Sequence, residues 1–467
     1  MRRFFAAAVM PLSALRSHLR PTLNLAYPVM LSQLGHVLVN VCDSMVVGQT
    51  GKVALAAVSL SVSVCTVVMV FGMGLAMGIT PLVAAADGRR DVAELGRLLV
   101  NGVWLCTVAG VVLGGLGLLL PPFLPYLQQE PAVAALAAPW IRVIFLSLLP
   151  LMVFQGFKQF AEGLGLTRQA MLLSVQANLL NAFLCYAMVF GKFGFPEMGM
   201  IGAAWATVIA RTLMAVLMAA YVLVAVRVRP YREAAALNLW PDAAGVRRLL
   251  GLGSPIGVQM MFEMGAFSFS AIMIGWLGAT ELAAHQIAIN VASVTYMAAS
   301  GIAAAATIRV GKLRGSGHPE EARQAGFASY VITFVFMSVM GLLLIVGRHY
   351  IPQYYNHDPA VIAQAASLLL IAAAFQVSDG LQVVGLGALR GLEDVKIPSV
   401  VALLAYWAAA LPLGYVLGFP LGMGATGVWL GLLTGLTLVA GLLLLRFRHR
   451  SQVLAKAHLN EVVAVVR

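Results

Sequence analysis

The stretch Phe375-Gln-Val-Ser-Asp-Gly-Leu-Gln-Val-Val-Gly-Leu-Gly-Ala-Leu-Arg-Gly391 belongs to a run with one charge, Asp379, between Asp358 and Arg390. That run is long enough to cross a bilayer, which takes about 20 apolar residues in a helix. A second run has the same character. Between Arg248 and Glu281 the one charge is Glu263, in Val258-Gln-Met-Met-Phe-Glu-Met-Gly-Ala-Phe267. A carboxylate in the middle of a membrane helix costs roughly 2.5 kcal/mol or more, so each marks a functional site and needs a partner. Each is expected to be the other's partner.

Composition agrees with a membrane reading. Hydrophobic residues make up 61% of the chain and charged residues 10%, and the mean hydropathy is +0.91, which excludes an ordinary soluble enzyme. The net charge of +12 would suit nucleic acid, but the basic residues alternate between short loops as the positive-inside rule requires, so no nucleic-acid partner is expected. Cys42, Cys65, Cys106 and Cys185 all lie in apolar runs and imply neither a metal site nor a disulfide framework.

Apolar runs place twelve helices at about 24–48, 55–85, 94–120, 132–160, 168–191, 199–226, 249–277, 282–312, 322–347, 359–389, 395–417 and 423–446. With both termini in the cytoplasm, 25 of the 30 Lys and Arg residues fall inside the cell. Only Lys52, Lys192 and Arg348 fall outside, and Arg142 and Arg211 lie within helices. The expected organisation is a cytoplasmic tail 1–23, an N-lobe 24–226, a cytoplasmic linker 227–248, a C-lobe 249–446 and a cytoplasmic tail 447–467. The opening Met1-Arg-Arg-Phe-Phe carries no convincing cleavage site and reads as a tail rather than a signal peptide.

The two halves resemble each other. At an offset of 227, Pro28 falls on Pro255, Gly48 on Gly275, Gly51 on Gly278, Gly74 on Gly301, Thr80 on Thr307 and Gly88 on Gly315. With small gaps, Gly163-Leu164 matches Gly391-Leu392 and Trp205 matches Trp429. Six helices per half predict two lobes related by a pseudo-two-fold axis along the membrane normal. The fold class is therefore an all-α integral membrane protein of twelve transmembrane helices in two six-helix lobes.

With these features in hand, the chain resembles the multidrug and toxic compound extrusion (MATE) family, in its NorM-like bacterial branch. The resemblance covers roughly residues 24–446 and rests on Pro28…Asp43…Gly48, Pro255…Phe262-Glu263 and Ala283-Ala-His-Gln-Ile-Ala-Ile-Asn290. It rests also on Gly191-Lys-Phe-Gly194 and on Phe375-Gln…Asp379…Gln382…Leu389-Arg-Gly391. It implies a secondary active exporter of organic, often cationic, drugs in the bacterial inner membrane, driven by inward Na+ or H+ through alternating access. The partners it implies are small-molecule organic cations or drugs and membrane lipid; a monomer is expected. No cofactor beyond the coupling ion, no tightly bound metal and no enzyme activity are expected.

Depth supports pairing the two carboxylates. Fifteen residues of helix put Glu263 roughly 22 Å from Arg248, and eleven put Asp379 roughly 16 Å from Arg390. The resemblance implies that this pair is the C-lobe cation site, with Na+ possible at Glu263 and Asp379; the competing reading is a polar pair that only ties two helices together. Asp43 is a third intramembrane carboxylate, nearer the outside. The repeat aligns it with Ser270, and Glu263 with His36, so the lobes have diverged in which positions ionise. By resemblance Asp43 anchors an N-lobe cation site with Asn181 and Thr207 as oxygen ligands. Relatives often carry Asn or Asp where this chain has Cys185, and a thiol is a poor ligand for a hard cation, which favours a proton at Asp43.

Tyr296, Gln286, Phe375, Gln382 and Met260 are expected to line the substrate cavity, where an aromatic face attracts a lipophilic cation and Met suits promiscuous contact. Arg142 and Arg211 read equally as counter-charges to Asp43 or as snorkelling and structural groups. His285 reads as structural. Two alternatives remain: a lipid-linked oligosaccharide flippase, which would carry more basic residues in its cavity, and a membrane-embedded transferase, which would need acidic metal-binding loops.

Overall fold

The computed structural model describes residues 12–127, 131–236 and 239–466, and leaves the side chains of 12–14, His36, Asn40, Lys52, 125–127 and 461–466 outside that description. Among the described residues, twelve helices are long and apolar enough to cross a membrane. These spans are Leu15–Gly48, Val53–Arg89, Val92–Leu118, Pro131–Gly163, Thr167–Phe190, Met200–Val224, Ala243–Gly275, Ala279–Gly315, Pro319–Gly347, Pro359–Gly391, Lys396–Gly418 and Gly424–Asn460. The all-α, twelve-span fold is as the sequence predicts.

Two helices outrun their apolar segments. The first starts at Leu12, because Arg309 of the eighth span donates 2.6 Å hydrogen bonds to the His18 carbonyl and to Thr22 Oγ1. The last runs on to Val466. Phe447 is fully buried there, against Phe327 and Tyr330, and Arg446 and Arg450 reach Asp394 at 2.8 and 3.4 Å. Hydropathy measures membrane thickness, not helix length, so polar anchoring of this kind leaves no mark in an apolar run.

The chain forms two compact units, residues 31–261 and residues 1–30 with 262–467. Their boundaries fall inside the first and seventh spans, a few residues beyond Pro28 and Pro255. Inside the first unit the start of the seventh span crosses the second so closely that a Cβ on Gly74 would meet the Gly257 Cα at 2.5 Å. Inside the other unit, a Cβ on Gly301 of the eighth span would run into Met30 Cγ and meet the Ala26 carbonyl at 2.9 Å. Met30 and Gly257 are matched by the same offset of 227 that matches Gly74 and Gly301, so one crossing has been built twice.

A second duplicated contact lies deeper in each unit. Thr80 Oγ1 donates to the Gln159 carbonyl at 3.1 Å, and its counterpart Thr307 Oγ1 donates to the Gly387 carbonyl at 2.8 Å. One turn further, Gly163 lies against Val83 and the Thr80 carbonyl, as Gly391 lies against Val310 and the Thr307 carbonyl. The sequence repeat is thus a repeat of helix–helix contacts.

The eleventh span is irregular. Helix Lys396–Leu404 passes into a π-helical turn, Ala405–Ala410, and then into helix Leu411–Gly418. Pro412 accounts for it: proline offers no N–H and its ring clashes with the carbonyl four residues back. Widening the preceding turn relieves that conflict, and such turns recur at functional sites.

Candidate functional site

Three helices of one unit converge on Glu263. The tenth span contributes Gln382, fully buried, whose Nε2 donates to Glu263 Oε1 at 2.9 Å. The π turn of the eleventh contributes Tyr406, whose hydroxyl lies 3.1 Å from Glu263 Oε1 and 2.8 Å from Gln382 Oε1. The next residue, Trp407, donates its indole N–H to the Phe262 carbonyl at 3.0 Å. Two successive residues of the π turn therefore bind two successive residues of the seventh span.

Asp379 is 5% exposed and its Oδ1 is buried without a hydrogen-bond partner. It and Glu263 act on each other electrostatically, and Tyr296 of the eighth span lies within the influence of both. Arg390, one end of the stretch quoted above, is buried and acts on Glu263 and Tyr296. An ionised carboxylate buried without partners is unstable by several kcal/mol and normally takes up a proton or a cation. The oxygens gathered by hydrogen bonds, from the Glu263 carboxylate, the Gln382 amide and the Tyr406 phenol, are of the kind that suit a hard cation as well as a proton.

The hydroxyl of Tyr406 is informative. It has one proton to give and faces two oxygens, Glu263 Oε1 and Gln382 Oε1. With Glu263 ionised the phenol serves one of the two oxygens; with Glu263 protonated the acid can donate to the phenol and the phenol to the amide oxygen.

The other unit holds a second, smaller cluster. Asn181 is buried and its Nδ2 donates to both oxygens of Asp43, at 3.1 and 3.3 Å. The Cys185 thiol bonds the same carboxylate. Arg211 acts on it electrostatically, while its Nη1 donates at 2.7 Å to Ser147 Oγ, at the break between helices Pro131–Leu146 and Leu148–Gly163. Arg211 is therefore both a structural tie and a counter-charge. Arg142 is exposed. Thr207 donates to the Ala203 carbonyl of its own helix at 3.1 Å, and Asn181 turns its amide nitrogen, not its oxygen, to Asp43. The groups around Asp43 are thus mainly donors.

Of the residues expected along a cavity, Tyr296 is half-buried, and Gln286 is exposed and donates to Asn290 Oδ1 at 3.0 Å. Phe375 is 2% exposed, its ring packed on Trp429 and Phe267, which puts it in the core of its unit. Met260 lies in the unit that holds Asp43. His285 accepts the Trp429 indole N–H at Nδ1 (3.1 Å), a structural role. Sequence reasoning missed Tyr406 and Trp407, since aromatic residues in an apolar run look like ordinary packing. The available signal was Pro412 six residues on. It missed also the buried carboxylate Glu162, 3.8 Å from the equally buried Lys158 in the fourth span. No group of three or more metal-ligating His, Cys, Asp or Glu side chains occurs among the described residues.

The family profile described as MatE matches residues 28–187 and 255–416, once in each half. The chain is 36% identical to a "Probable multidrug resistance protein NorM" of Mesorhizobium japonicum, over 96% of this chain and 97% of that one. It is 38% identical to a protein of the same name from Rhodopseudomonas palustris, over 94% and 93%. Its fold is similar to the crystal structure of a eukaryotic MATE transporter, with a TM-score of 0.84 at 22% identity over 95% of this chain and all of that one. It is similar also to an outward-facing multidrug resistance MATE family transporter, with a TM-score of 0.85 at 20% identity over 93% and 96%.

Proposed function

The chain belongs to the MatE family, and from that premise we propose that it is a multidrug exporter that moves organic cations out of the cell in exchange for inward H+ or Na+. The flippase and transferase readings are not favoured. The membrane is the bacterial inner membrane, with both termini in the cytoplasm, the orientation that puts 25 basic residues inside and 3 outside. The working form is a monomer.

One observation carries the mechanism: Asp379, buried with an unpartnered oxygen, acts electrostatically on Glu263, whose Oε1 shares the single Tyr406 hydroxyl proton with Gln382 Oε1. The Glu263–Asp379 site holds the coupling ion. Two carboxylates in a low dielectric repel each other, so the pair takes a proton or Na+ rather than standing doubly charged. A cationic drug competes with that ion, either for the same negative charge or through the conformation each one favours. A ligand shifts an equilibrium only by its differential affinity for the two states, and the coupling is reciprocal: ion binding weakens drug binding by the factor by which drug weakens ion binding.

Asp43 is a second protonation site. Its donor-rich surroundings suit a carboxyl group that exchanges a proton and offer little oxygen to Na+. The direct test is drug export from reconstituted vesicles with a proton gradient and a sodium gradient imposed separately. Export driven by one of them is the expected result; export independent of both rejects antiport.

A further inference from the structure

Away from both carboxylate clusters, the helix Arg229–Ala236 packs on the third span. The approach is close enough that a Cβ on Gly96 would meet the Ala235 amide nitrogen at 2.9 Å and the Tyr231 carbonyl at 3.0 Å. Beside this contact lies a groove of about 600 Å³, the size of a small-ligand site. Its long wall is one face of the third span, Val100, Trp104, Val108 and Val111 among others, and the sixth span contributes Leu223. The wall is open along its length: Trp104 is 44% exposed and Val111 58%. Arg232 is the one charged residue in the lining among the described residues.

From Leu99 to Val112 the wall runs roughly 20 Å, more than the ~15 Å of one leaflet of a 30 Å hydrocarbon core. Arg232 sits at one end, on the linker. Its Nη1 donates to the Leu223 carbonyl, which fixes the guanidinium and leaves four of its five N–H donors for another acceptor. Arg229 nearby on the same helix is paired with Glu233 at 2.8 Å, so Arg232 supplies the positive charge at the mouth. That charge rules out an organic cation as the occupant and selects an anion that carries a long apolar chain.

We propose that this groove binds one anionic phospholipid, with an acyl chain along the third span and its phosphate on Arg232. Basic pockets beside membrane helices recognise anionic headgroups in this way. The bound lipid bridges the linker helix and the third span, so it steadies the segment that joins the two halves of the chain. The site is separate from ion coupling and independent of the export reading.

The test is native mass spectrometry of the detergent-purified full chain, given phosphatidylglycerol and phosphatidylcholine in equal amounts. The parent is expected to retain one phosphatidylglycerol in preference to phosphatidylcholine. R232Q should lose about fivefold of that preference, the factor one interfacial charge supplies, whereas R232K should keep it. V108W, which fills the groove and leaves the arginine in place, should lower retention of both lipids. Equal retention by the parent, or R232Q matching the parent, overturns the site. So does displacement by millimolar glycerol phosphate, which would mark a headgroup site without a chain groove. If R232Q does not fold, V108W decides: unchanged retention there also overturns it.

Discussion

Single residues carry the chemistry, and the sequence exposed those that break an apolar run. Glu263, Asp379, Asp43 and Gln382 stood out because polar groups inside a membrane helix are expensive. Tyr406 did not, because its ring is apolar and its one polar atom is visible only once the π turn aims it at Glu263. Neutralising the pair tests the coupling role: Glu263→Gln and Asp379→Asn should each fold and bind drug, yet lose uphill export in vesicles. The double variant should lose no more than either single one, since one site is destroyed each way. Additive losses, or ion-dependent drug release by Asp379→Asn equal to the parent's, would make the pair structural. Tyr406→Phe removes the donor to Gln382 and leaves Glu263 with one neutral partner fewer, a loss of about 1–3 kcal/mol in a buried network. Drug affinity should hold while the ion dependence of release shifts; a variant with the parent's ion dependence would remove Tyr406 from the site. Asp43→Asn should impair export in sodium-free medium, and loss of sodium-stimulated transport alone would exclude a proton role there.

At the scale of helices, the apolar runs gave all twelve spans, and the Pro and Gly spacing gave the duplication. Periodicity could not give the partners, because a glycine that admits a crossing backbone looks the same as one that fills a turn. Gly163 and Gly391 are of the first kind, each with a Val Cβ where its own would go, at 2.7 and 2.8 Å. Overfilling such a contact costs about 1–3 kcal/mol. Gly163→Ala and Gly391→Ala should each lower the melting temperature in detergent by several degrees. Gly441→Ala, where no heavy atom lies within 4 Å of the added carbon, should leave it unchanged. A Gly441 effect as large as the other two would mean that helix propensity, not the crossing, is being measured.

For the whole molecule, the uneven spread of basic residues sets an expected orientation that labelling can check. In a Cys42→Ser background, Ser316→Cys should react with an impermeant reagent only from the cytoplasm. Tyr354→Cys, at a position 90% exposed between the ninth and tenth spans, should react only from outside; the reverse pattern rejects the topology. What the sequence could not reveal is that the compact units do not coincide with its halves, because membership depends on crossings between residues far apart in the chain. That arrangement bears on how the protein is made. Ala26 and Met30 leave the ribosome ahead of the backbone they pack on, at Gly301, which follows roughly 270 residues later. At about 5–20 residues per second, this is a wait on the order of 15–50 s. The Ala26–Met30 stretch therefore enters the membrane long before the eighth span exists, whereas the seventh span meets a second span that is already in place. The amino-terminal half, synthesised alone, would seat the end of that helix through Asp43 and Asn181 but leave its Ala26–Met30 stretch without the backbone it packs on, so the order of synthesis makes that stretch among the last to settle.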